Sequence, residues 1–282
     1  MAGTLYLVAT PIGNLEDVTY RAVRVLQEAN LIACEDTRQT RKLLDRYGIR
    51  TPALSYHEHN EAARAAQLLA KLQEGMNVAL VSDAGTPLVS DPGYRLVTAA
   101  LEHGIRVEPV PGPSALLAAL TASGMPADAF HFAGFLPAKR AQRRKALESL
   151  KDEPATLIFY EAPHRILETL EDVESVLGPR PTVVAREITK LHEEFLRGSP
   201  AELMQTLQKR GSVKGEITLL VGKASEPAAD NTPLREAVET CEQAGMTRME
   251  AIKCVARRRG LPKSQVYREL EAVTRTFEPT KA

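Results

Sequence analysis

The sequence predicts an α/β protein with two α/β lobes and a small all-helical domain at its C-terminal end. Strand-like and helix-like segments alternate over the first 110 residues, and a second alternating stretch follows a Gly- and Pro-rich passage around residues 124–128. The last fifty residues show only helical patterns, and the preceding segment KASEPAADNTP (223–233) has the composition of a linker. The predicted domains are therefore residues 1–112, 113–225 and 233–282.

In the first lobe, short apolar runs predict buried strands, each followed by a polar or Gly-rich loop. These runs cover residues 5–9, 31–34, 77–81 and 105–110. Apolar residues at helical spacing predict helices between the strands, one capped by Asn60 and another over residues 94–103. Because strands and helices alternate, we expect a mostly parallel sheet covered by helices.

The second lobe repeats this pattern, and the tail does not. Its predicted strands are residues 130–135, 156–160, 182–187 and 217–221, with a helix over 166–177. Another helix begins at Ser199 with Pro200 in its first turn. In the tail, Thr247 and Glu250 form a capping box, Gly260 to Pro262 break the helix, and Ser264 is expected to cap the next one.

The composition is that of a globular protein with a sizeable core. The chain has 282 residues, of which 44% are hydrophobic and 26% charged. No apolar stretch approaches the roughly 20 residues of a membrane helix, and the start lacks the pattern of a secretory signal. Three cysteines without a Cys-x-x-Cys pair argue against zinc and disulfide frameworks. We therefore expect a protein of the reducing cytoplasm that binds neither membrane nor metal.

Charge is balanced overall but clustered locally. Lys plus Arg and Asp plus Glu each total 36, which argues against a purely electrostatic nucleic-acid binder. However, residues 139–145 hold five basic residues and no acid, and residues 248–268 hold seven basic residues and one acid. Each cluster could be a solvated helix face. Two such clusters on a neutral chain favour a polyanionic partner.

The most informative loop is SDAGTPLVSDPG (82–93), which follows a predicted strand and precedes a predicted helix. In an open α/β sheet this is the edge where ligands bind, and small residues there let a ligand approach the backbone. The alternative is a plain turn, because Gly, Pro, Ser and Asp are common turn residues. Twelve residues with repeated Asp and Gly favour a functional loop.

Motifs of other enzyme classes are missing from the sequence. It contains no P-loop, no dinucleotide fingerprint after the first strand, no HExxH and no GxSxG. His57 and His59 would share a face on a strand, but no third metal ligand is evident. These observations leave a ligand site of another kind, with no metal.

A series of short motifs occurs in order along the two lobes. The motifs are TPIGNL (10–15), EDTR (35–38), HN (59–60), the 82–93 loop, PG (111–112), GFLP (134–137), FYE (159–161), HR (164–165), ARE (185–187) and KGE (214–216). Over residues 5–222 the sequence resembles the ribosomal RNA small subunit methyltransferase I family of the tetrapyrrole-methylase superfamily. The tail resembles that family's small helix-turn-helix-like extension.

The resemblance implies a two-lobed tetrapyrrole-methylase-like fold with S-adenosylmethionine in the cleft between the lobes. It also implies methylation of the ribose 2′-hydroxyl of a cytidine in the decoding region of 16S ribosomal RNA within the small ribosomal subunit, and a homodimer. Twelve residues would line the cofactor: Pro11, Asp83, Ala84, Gly85, Ser114, Ala115, Tyr160, Ala185, Arg186, Gly215, Glu216 and Ile217.

The catalytic base stays open at this point. A ribose hydroxyl is a weak acid, so a nearby base or cation should help to remove its proton. The candidates are Glu35, Asp36, Arg38, His59, Glu161, Arg186, Glu187 and Lys190. Glu161 and Glu187 are favoured because they directly follow strands, although either could form a structural ion pair with a neighbouring arginine.

Eight basic residues are expected to contact RNA: Arg38, Lys139, Arg140, Arg143, Arg144, Arg257, Arg258 and Arg259. Two other functions remain as alternatives. A methylase of small tetrapyrroles would share the fold, but it would need no basic clusters. A non-catalytic RNA-binding protein would have no reason to bind S-adenosylmethionine.

Overall fold

The structure is a computed structural model that describes residues 2–224 and 232–274. The chain divides into two compact units, Met1–Ala224 and Ser225–Ala282. Both predicted α/β lobes lie in the larger unit, where each is organised around its own five-stranded sheet.

The first sheet has the strand order β3-β2-β4-β1-β5, and every pair of neighbouring strands is parallel. Parallel neighbours require crossover connections, which four helices provide. The strands are β1 (Thr4–Val8), β2 (Leu31–Cys34), β3 (Ala53–Ser55), β4 (Val78–Val81) and β5 (Arg106–Val110). The helices are α1 (Tyr20–Glu28), α2 (Thr37–Arg46), α3 (Glu61–Gln73) and α4 (Tyr94–Glu102).

Both faces of this sheet are buried. Side chains alternate between the faces of a strand, so Val8 and Ile32 pack with α1 and α2, whereas Leu5 and Leu80 pack with α3 and α4. This arrangement explains why β4 is apolar at every position. The carboxyl ends of β1, β2 and β4 lie together at one edge of the sheet.

The second sheet has the order β6-β7-β10-β8-β9; β6 and β7 are parallel, and the other neighbours are antiparallel. Its strands are β6 (Phe130–Phe135), β7 (Thr156–Glu161), β8 (Thr182–Arg186), β9 (Glu194–Gly198) and β10 (Ile217–Val221). The helices of this lobe are α5 (Ala115–Ser123), α6 (Arg140–Ser149), α7 (Ile166–Leu177) and α8 (Pro200–Gln208).

One face of the second sheet packs against α6, α7 and α8, and the other packs against α5. Ile12, from the loop after β1, belongs to the same apolar cluster as Leu116, Ile158 and Ile188. The cluster therefore includes side chains from both lobes, which is why the lobes form one compact unit.

The described part of the smaller unit consists of α9 (Leu234–Gln243), α10 (Arg248–Arg258) and α11 (Lys263–Thr274). Val238, Ile252 and Val266, one from each helix, contribute to its apolar core. The capping box at the start of α10 is present, as predicted. Ser264, which was predicted as a cap, is instead inside the first turn of α11.

Two strands escaped the sequence-based prediction. Both β3 and β9 are edge strands with few buried side chains, so neither has a continuous apolar run. The other eight strands were predicted to within about one residue at each end.

Candidate active site

The loops after β1 and β4 are hydrogen bonded to each other at the carboxyl edge of the first sheet. Thr10 N donates to Gly85 O at 2.9 Å, and Gly85 N donates to Thr10 O at 3.0 Å. Gly85 has φ of 84°, a conformation that favours glycine. This pair fixes the position of the 82–93 loop, which the sequence identified as functional.

Among residues 2–224 and 232–274, four residues other than glycine have positive φ, and they occur as two pairs. Leu88 and Ser90 lie in the 82–93 loop with φ of 71° and 66°, and Glu187 and Thr189 lie after β8 with φ of 52° and 66°. Backbone of this kind costs on the order of 1–3 kcal/mol per residue and clusters at functional sites. Here both pairs border the same region between the lobes.

The first cavity lies between these loops and has a volume of about 350 Å³. Residues of both lobes line it, and many of them are small or apolar. They are Ile12, Asp83, Ala84, Gly85, Thr86, Val89, Ser90, Asp91, Ser114, Ala115, Phe135, Tyr160, Glu161, Ala162, Pro163, Ile188, Gly215, Glu216, Ile217 and Thr218. Its volume lies within the range of small-molecule sites.

Burial changes the acid–base properties of groups around this cavity. It raises the pKa of Asp91, and the charge of Asp83 raises it further, while the nearby Ser82 hydroxyl opposes the shift. Burial also raises the pKa of Glu35, with smaller contributions from Asp83 and Asp91. The clustered carboxyl groups make this edge favourable for a positive charge.

The second cavity adjoins the first and has a volume of about 320 Å³. The two share Ile12, Asp83, Ala84 and Glu216. The second cavity is also lined by Thr10, Pro11, Gly13, Leu15, Gln39, Thr40, Lys42, Leu43, Ser82 and Lys190. Most of its polar side chains come from α2 and from the ends of β4 and β8.

Lys190 forms an ion cluster at the boundary of the second cavity. Its Nζ lies 2.9 Å from Glu187 Oε1 and 3.0 Å from Glu216 Oε2. Burial lowers the pKa of Lys190, but the bonds to the two carboxylates outweigh this effect and raise it overall. The hydrogen bond from Lys190 and another from the Glu216 backbone lower the pKa of Glu187. Both partners therefore stay charged at neutral pH.

Comparison with known proteins identifies the family. The family of Tetrapyrrole (Corrin/Porphyrin) Methylases matches residues 4–204. A protein named Ribosomal RNA small subunit methyltransferase I from Halalkalibacterium halodurans is 51% identical over 94% of this chain and 93% of its own. The chain belongs to the ribosomal RNA small subunit methyltransferase I family of tetrapyrrole methylases. A second member, from Escherichia coli O157:H7, is 49% identical over 94% of both chains.

Solved structures of other tetrapyrrole methylases have the same fold. Uroporphyrin-III-C-methyltransferase from Thermus thermophilus superposes with a TM-score of 0.57 at 24% identity, covering 79% of this chain and 95% of its own. The methyltransferase CobJ superposes with a TM-score of 0.60 at 22% identity and the same coverage. These similarities confirm the predicted two-lobed α/β fold.

Membership in this methyltransferase family makes S-adenosylmethionine the methyl donor, and the first cavity fits this cofactor. A Cβ atom at Gly85 would point toward Ile12 Cγ2 at 3.4 Å, so glycine keeps the cavity wall open. Asp83 and Asp91 suit a sulfonium cation, and the half-buried ring of Tyr160 offers an apolar surface. The ring of Tyr160 packs against the rings of Phe132 and Phe135, with distances of 4.9 and 5.6 Å between ring centroids.

Nine of the twelve predicted cofactor residues line the first cavity: Asp83, Ala84, Gly85, Ser114, Ala115, Tyr160, Gly215, Glu216 and Ile217. Pro11 lines the second cavity instead. Ala185 and Arg186 line neither. Ala185 is buried in the sheet core, and Arg186 Nε donates to Glu194 Oε1 at 2.6 Å. These two positions were implied by the family resemblance, and their role at the cofactor stays a prediction.

The contacts of Glu161 argue against its predicted role as a base. Its Oε1 accepts hydrogen bonds from Ala162 N and pairs with Arg165 Nη2, each at 2.7 Å. Its Oε2 accepts a hydrogen bond from Thr169 Oγ1 at 2.6 Å. A carboxylate with both oxygens engaged serves the structure of the β7–α7 turn. The predicted role of Glu187 as a base stays a prediction.

Arg143 was predicted to contact RNA, and this prediction is wrong. Its side chain is completely buried, and its Nε donates to the equally buried carboxylate of Asp172 at 2.8 Å. The remaining residues of the 139–145 cluster are exposed, although Arg140 Nε also pairs with Asp172 Oδ1 at 3.1 Å. The pattern of basic residues could not distinguish an internal ion pair from a solvated face.

In the tail, Arg257 and Arg258 are exposed, whereas Arg259 is half-buried. Arg259 Nη2 donates to Thr232 O at 2.5 Å, which ties the end of α10 to the segment before α9. Arg259 is thus committed to the internal structure of this unit. Arg257 and Arg258 remain the tail arginines whose exposure suits the predicted role.

The sequence-based prediction missed Gln39, Thr40 and Lys42 of the second cavity. They follow the EDTR motif within four residues, and that position was their only signal in the sequence. Ser82, a buried hydroxyl residue, belongs to the 82–93 loop that had been predicted as functional. Over residues 2–224 and 232–274, no group of His, Cys, Asp and Glu could hold a metal ion. In the same part of the chain, every helix is too short or too polar to cross a membrane.

Proposed function

We propose that this protein transfers a methyl group from S-adenosylmethionine to the ribose 2′-hydroxyl of a cytidine in the decoding region of 16S ribosomal RNA. The supporting observation is that about half of its residues are identical to those of proteins named ribosomal RNA small subunit methyltransferase I, over more than nine tenths of the chains. The similarity to enzymes of tetrapyrrole metabolism is much lower and concerns the fold alone.

The first cavity would hold the cofactor through the nine residues named above. When bound, S-adenosylmethionine supplies a methyl group on a positively charged sulfur, which an oxygen nucleophile displaces. Such a displacement requires alignment, and precise positioning can contribute up to roughly 7–11 kcal/mol to a reaction. The two lobes hold the cavity walls in fixed positions through the Thr10–Gly85 hydrogen bonds and the apolar cluster around Ile12.

Two charged residues, Asp83 and Glu216, line both cavities, so both are placed to act on the two reactants. The Oδ1 atom of Asp83 is oriented by a hydrogen bond from the backbone of Asp36. Lys190 donates a hydrogen bond to Glu187 and lowers its pKa, so Glu187 stays an anion. Glu187 therefore anchors the Lys190 ammonium group and is a weak proton acceptor. The acceptor hydroxyl would therefore lose its proton close to a cluster of fixed charges.

The basic surface residues would bind the ribosomal RNA. Those exposed in the structure are Arg38, Lys139, Arg140, Arg144, Arg257 and Arg258. Contacts from arginine and lysine to phosphates position an RNA without reading its sequence. The proposal includes a homodimer working on small ribosomal subunits in the cytoplasm, and light scattering at working concentration tests the dimer by its mass.

The decisive experiment incubates the protein with methyl-labelled S-adenosylmethionine and small ribosomal subunits that lack the modification. Nuclease digestion and mass spectrometry should then locate the label on the ribose of a decoding-region cytidine. A parallel incubation offers a tetrapyrrole, uroporphyrinogen III, as the acceptor. Label on a base, or label on the tetrapyrrole with none on RNA, would overturn the proposal.

A further inference from the structure

The second cavity is built by a close crossing of two loops from different lobes. Asn14 N donates to Thr189 Oγ1 at 3.1 Å, and a Cβ atom at Gly13 would lie only 2.5 Å from Lys190 Cγ. The loop after β8 therefore reaches over the loop after β1 because residue 13 has no side chain. Glu187 and Thr189, which both belong to the loop after β8, have the positive φ noted above. The geometry fixes Lys190 as part of the cavity wall.

The cavity also holds two buried hydroxyl groups without a normal hydrogen bond. Thr40 and Ser82 are 5% and 4% exposed, and within the described residues neither side-chain oxygen has a partner of normal geometry. Thr40 is close enough to the Cys34 thiol, and Ser82 to the Asp91 carboxyl, to oppose the rise in the pKa of these groups, but neither contact has the geometry of a hydrogen bond. Buried polar groups are normally satisfied, so such groups beside a cavity point to a ligand.

The remaining polar groups define what kind of occupant would fit. Lys42 and Lys190 supply ammonium groups, Gln39 supplies an amide, and Asp83 and Glu216 supply carboxylates. Ammonium groups suit phosphate oxygens, while amide, hydroxyl and carboxylate groups suit a base edge and ribose hydroxyls. Because the cavity shares four residues with the first, an occupant would lie directly beside the cofactor.

We propose that the second cavity receives the acceptor ribonucleotide, unstacked from the RNA, and that Lys190 contacts it. This inference rests on the proposed function. Enzymes that modify a nucleotide commonly extrude it from its stack into a pocket, where polar groups read its edges. Glu187 and Glu216 hold the Lys190 ammonium group in place. Thr40 and Ser82 complete the polar lining, and Asp83 borders both the nucleotide and the methyl donor.

The test compares Lys190→Met, Lys190→Arg and Thr40→Val with the parent in single-turnover methylation of small ribosomal subunits. We expect Lys190→Met to lower kcat/KM for the subunits about 10- to 100-fold, since a charged contact is lost, and Lys190→Arg to restore much of it. Thr40→Val should lower kcat/KM about two- to tenfold. Binding of S-adenosylhomocysteine, measured by calorimetry, should change less than about threefold because its own cavity is intact.

Two matched controls separate binding from stability. Lys209 is an exposed lysine after α8, and Lys209→Met should leave kcat/KM at the parent value. Thr156 is a buried threonine whose Oγ1 donates to Pro126 O at 2.8 Å, so Thr156→Val should lower the melting temperature without changing catalysis. Thr40→Val removes a hydroxyl that makes no hydrogen bond of normal geometry, so its melting temperature should equal or exceed that of the parent.

The outcomes distinguish this inference from the proposed function. If the parent does not methylate RNA, both are overturned. If the parent methylates RNA, and Lys190→Met and Thr40→Val do so with the parent kcat/KM, only the assignment of the second cavity is overturned. The same holds if Thr40→Val lowers the melting temperature as Thr156→Val does while kcat/KM is unchanged, because Thr40 would then be a structural residue.

Discussion

The Oδ1 atom of Asp83 accepts a hydrogen bond of 2.9 Å from the backbone nitrogen of Asp36. One carboxylate thus connects the loops that follow β4 and β2, and the same residue lines both cavities. Asp36 in turn binds Arg38, and this hydrogen bond lowers the pKa of Asp36 to about 2. The carboxyl edge of the first sheet is therefore a connected set of charges whose centre is Asp83.

Replacing Asp83 should separate its structural role from its charge. Asp83→Asn keeps an oxygen for the Asp36 hydrogen bond and removes the charge, whereas Asp83→Ala removes both. We expect Asp83→Asn to weaken the binding of S-adenosylmethionine, which carries a sulfonium charge, more than the binding of S-adenosylhomocysteine, which carries none. Asp83→Ala should weaken both about tenfold or more. Equal affinities for the parent and Asp83→Ala in calorimetry would remove this residue from the site.

Removing Arg143 should destabilise the protein instead of weakening its binding to RNA. Arg143→Met removes a positive charge that compensates the buried Asp172 carboxylate. Breaking a buried ion pair in this way typically costs about 3–5 kcal/mol of unfolding free energy. The partner Arg140 limits this loss. Urea unfolding measures the free energy, and Lys139→Met, at an exposed position, is the control. A variant with parent stability and weaker RNA binding would restore the original prediction for Arg143.

Glu194 should contribute to loss of stability in acid. Its burial raises its pKa, but hydrogen bonds from Arg210 and Arg186 outweigh this and lower it below the ordinary 4.5. A lowered pKa stabilises the folded state above pH 4.5, and this stabilisation is lost as the pH falls through the folded value. Glu194→Gln should therefore show a shallower decline of melting temperature below pH 4.5 than the parent. Parallel declines in both proteins would show that Glu194 does not contribute.

The smaller helical unit should increase affinity for RNA without being needed for folding of the larger unit. A chain ending at Ala224 contains the whole first compact unit and both cavities, so it should bind S-adenosylhomocysteine like the parent. Its affinity for small ribosomal subunits should fall. If truncation abolished cofactor binding, the larger unit would not be independent.

Exposed arginines of α10 should determine part of the salt dependence. Arg257→Ala with Arg258→Ala should lower the slope of log affinity against log salt concentration by about 1 to 2, because fewer counterions are released. Arg259→Ala, which removes the hydrogen bond to Thr232, should lower the melting temperature of the smaller unit instead. An unchanged slope in the double variant would show that these two side chains do not reach phosphates.

The sequence by itself determined most elements and the location of the site. The apolar runs predicted eight strands because buried strands must be apolar, and the small residues in the 82–93 loop marked the ligand-binding edge. Ordered motifs identified the family. These are local properties, so a linear reading detects them.

Only the tertiary structure decided which side chains share a space. It brought the strained loop after β8 over Gly13, enclosed Thr40 and Ser82 beside Lys190, and buried Arg143 against Asp172. The residues of the last pair are 29 positions apart, and no periodicity shows that they meet. Whether a charged side chain faces solvent, a ligand or an internal partner depends on contacts between distant segments, and those contacts are set by packing.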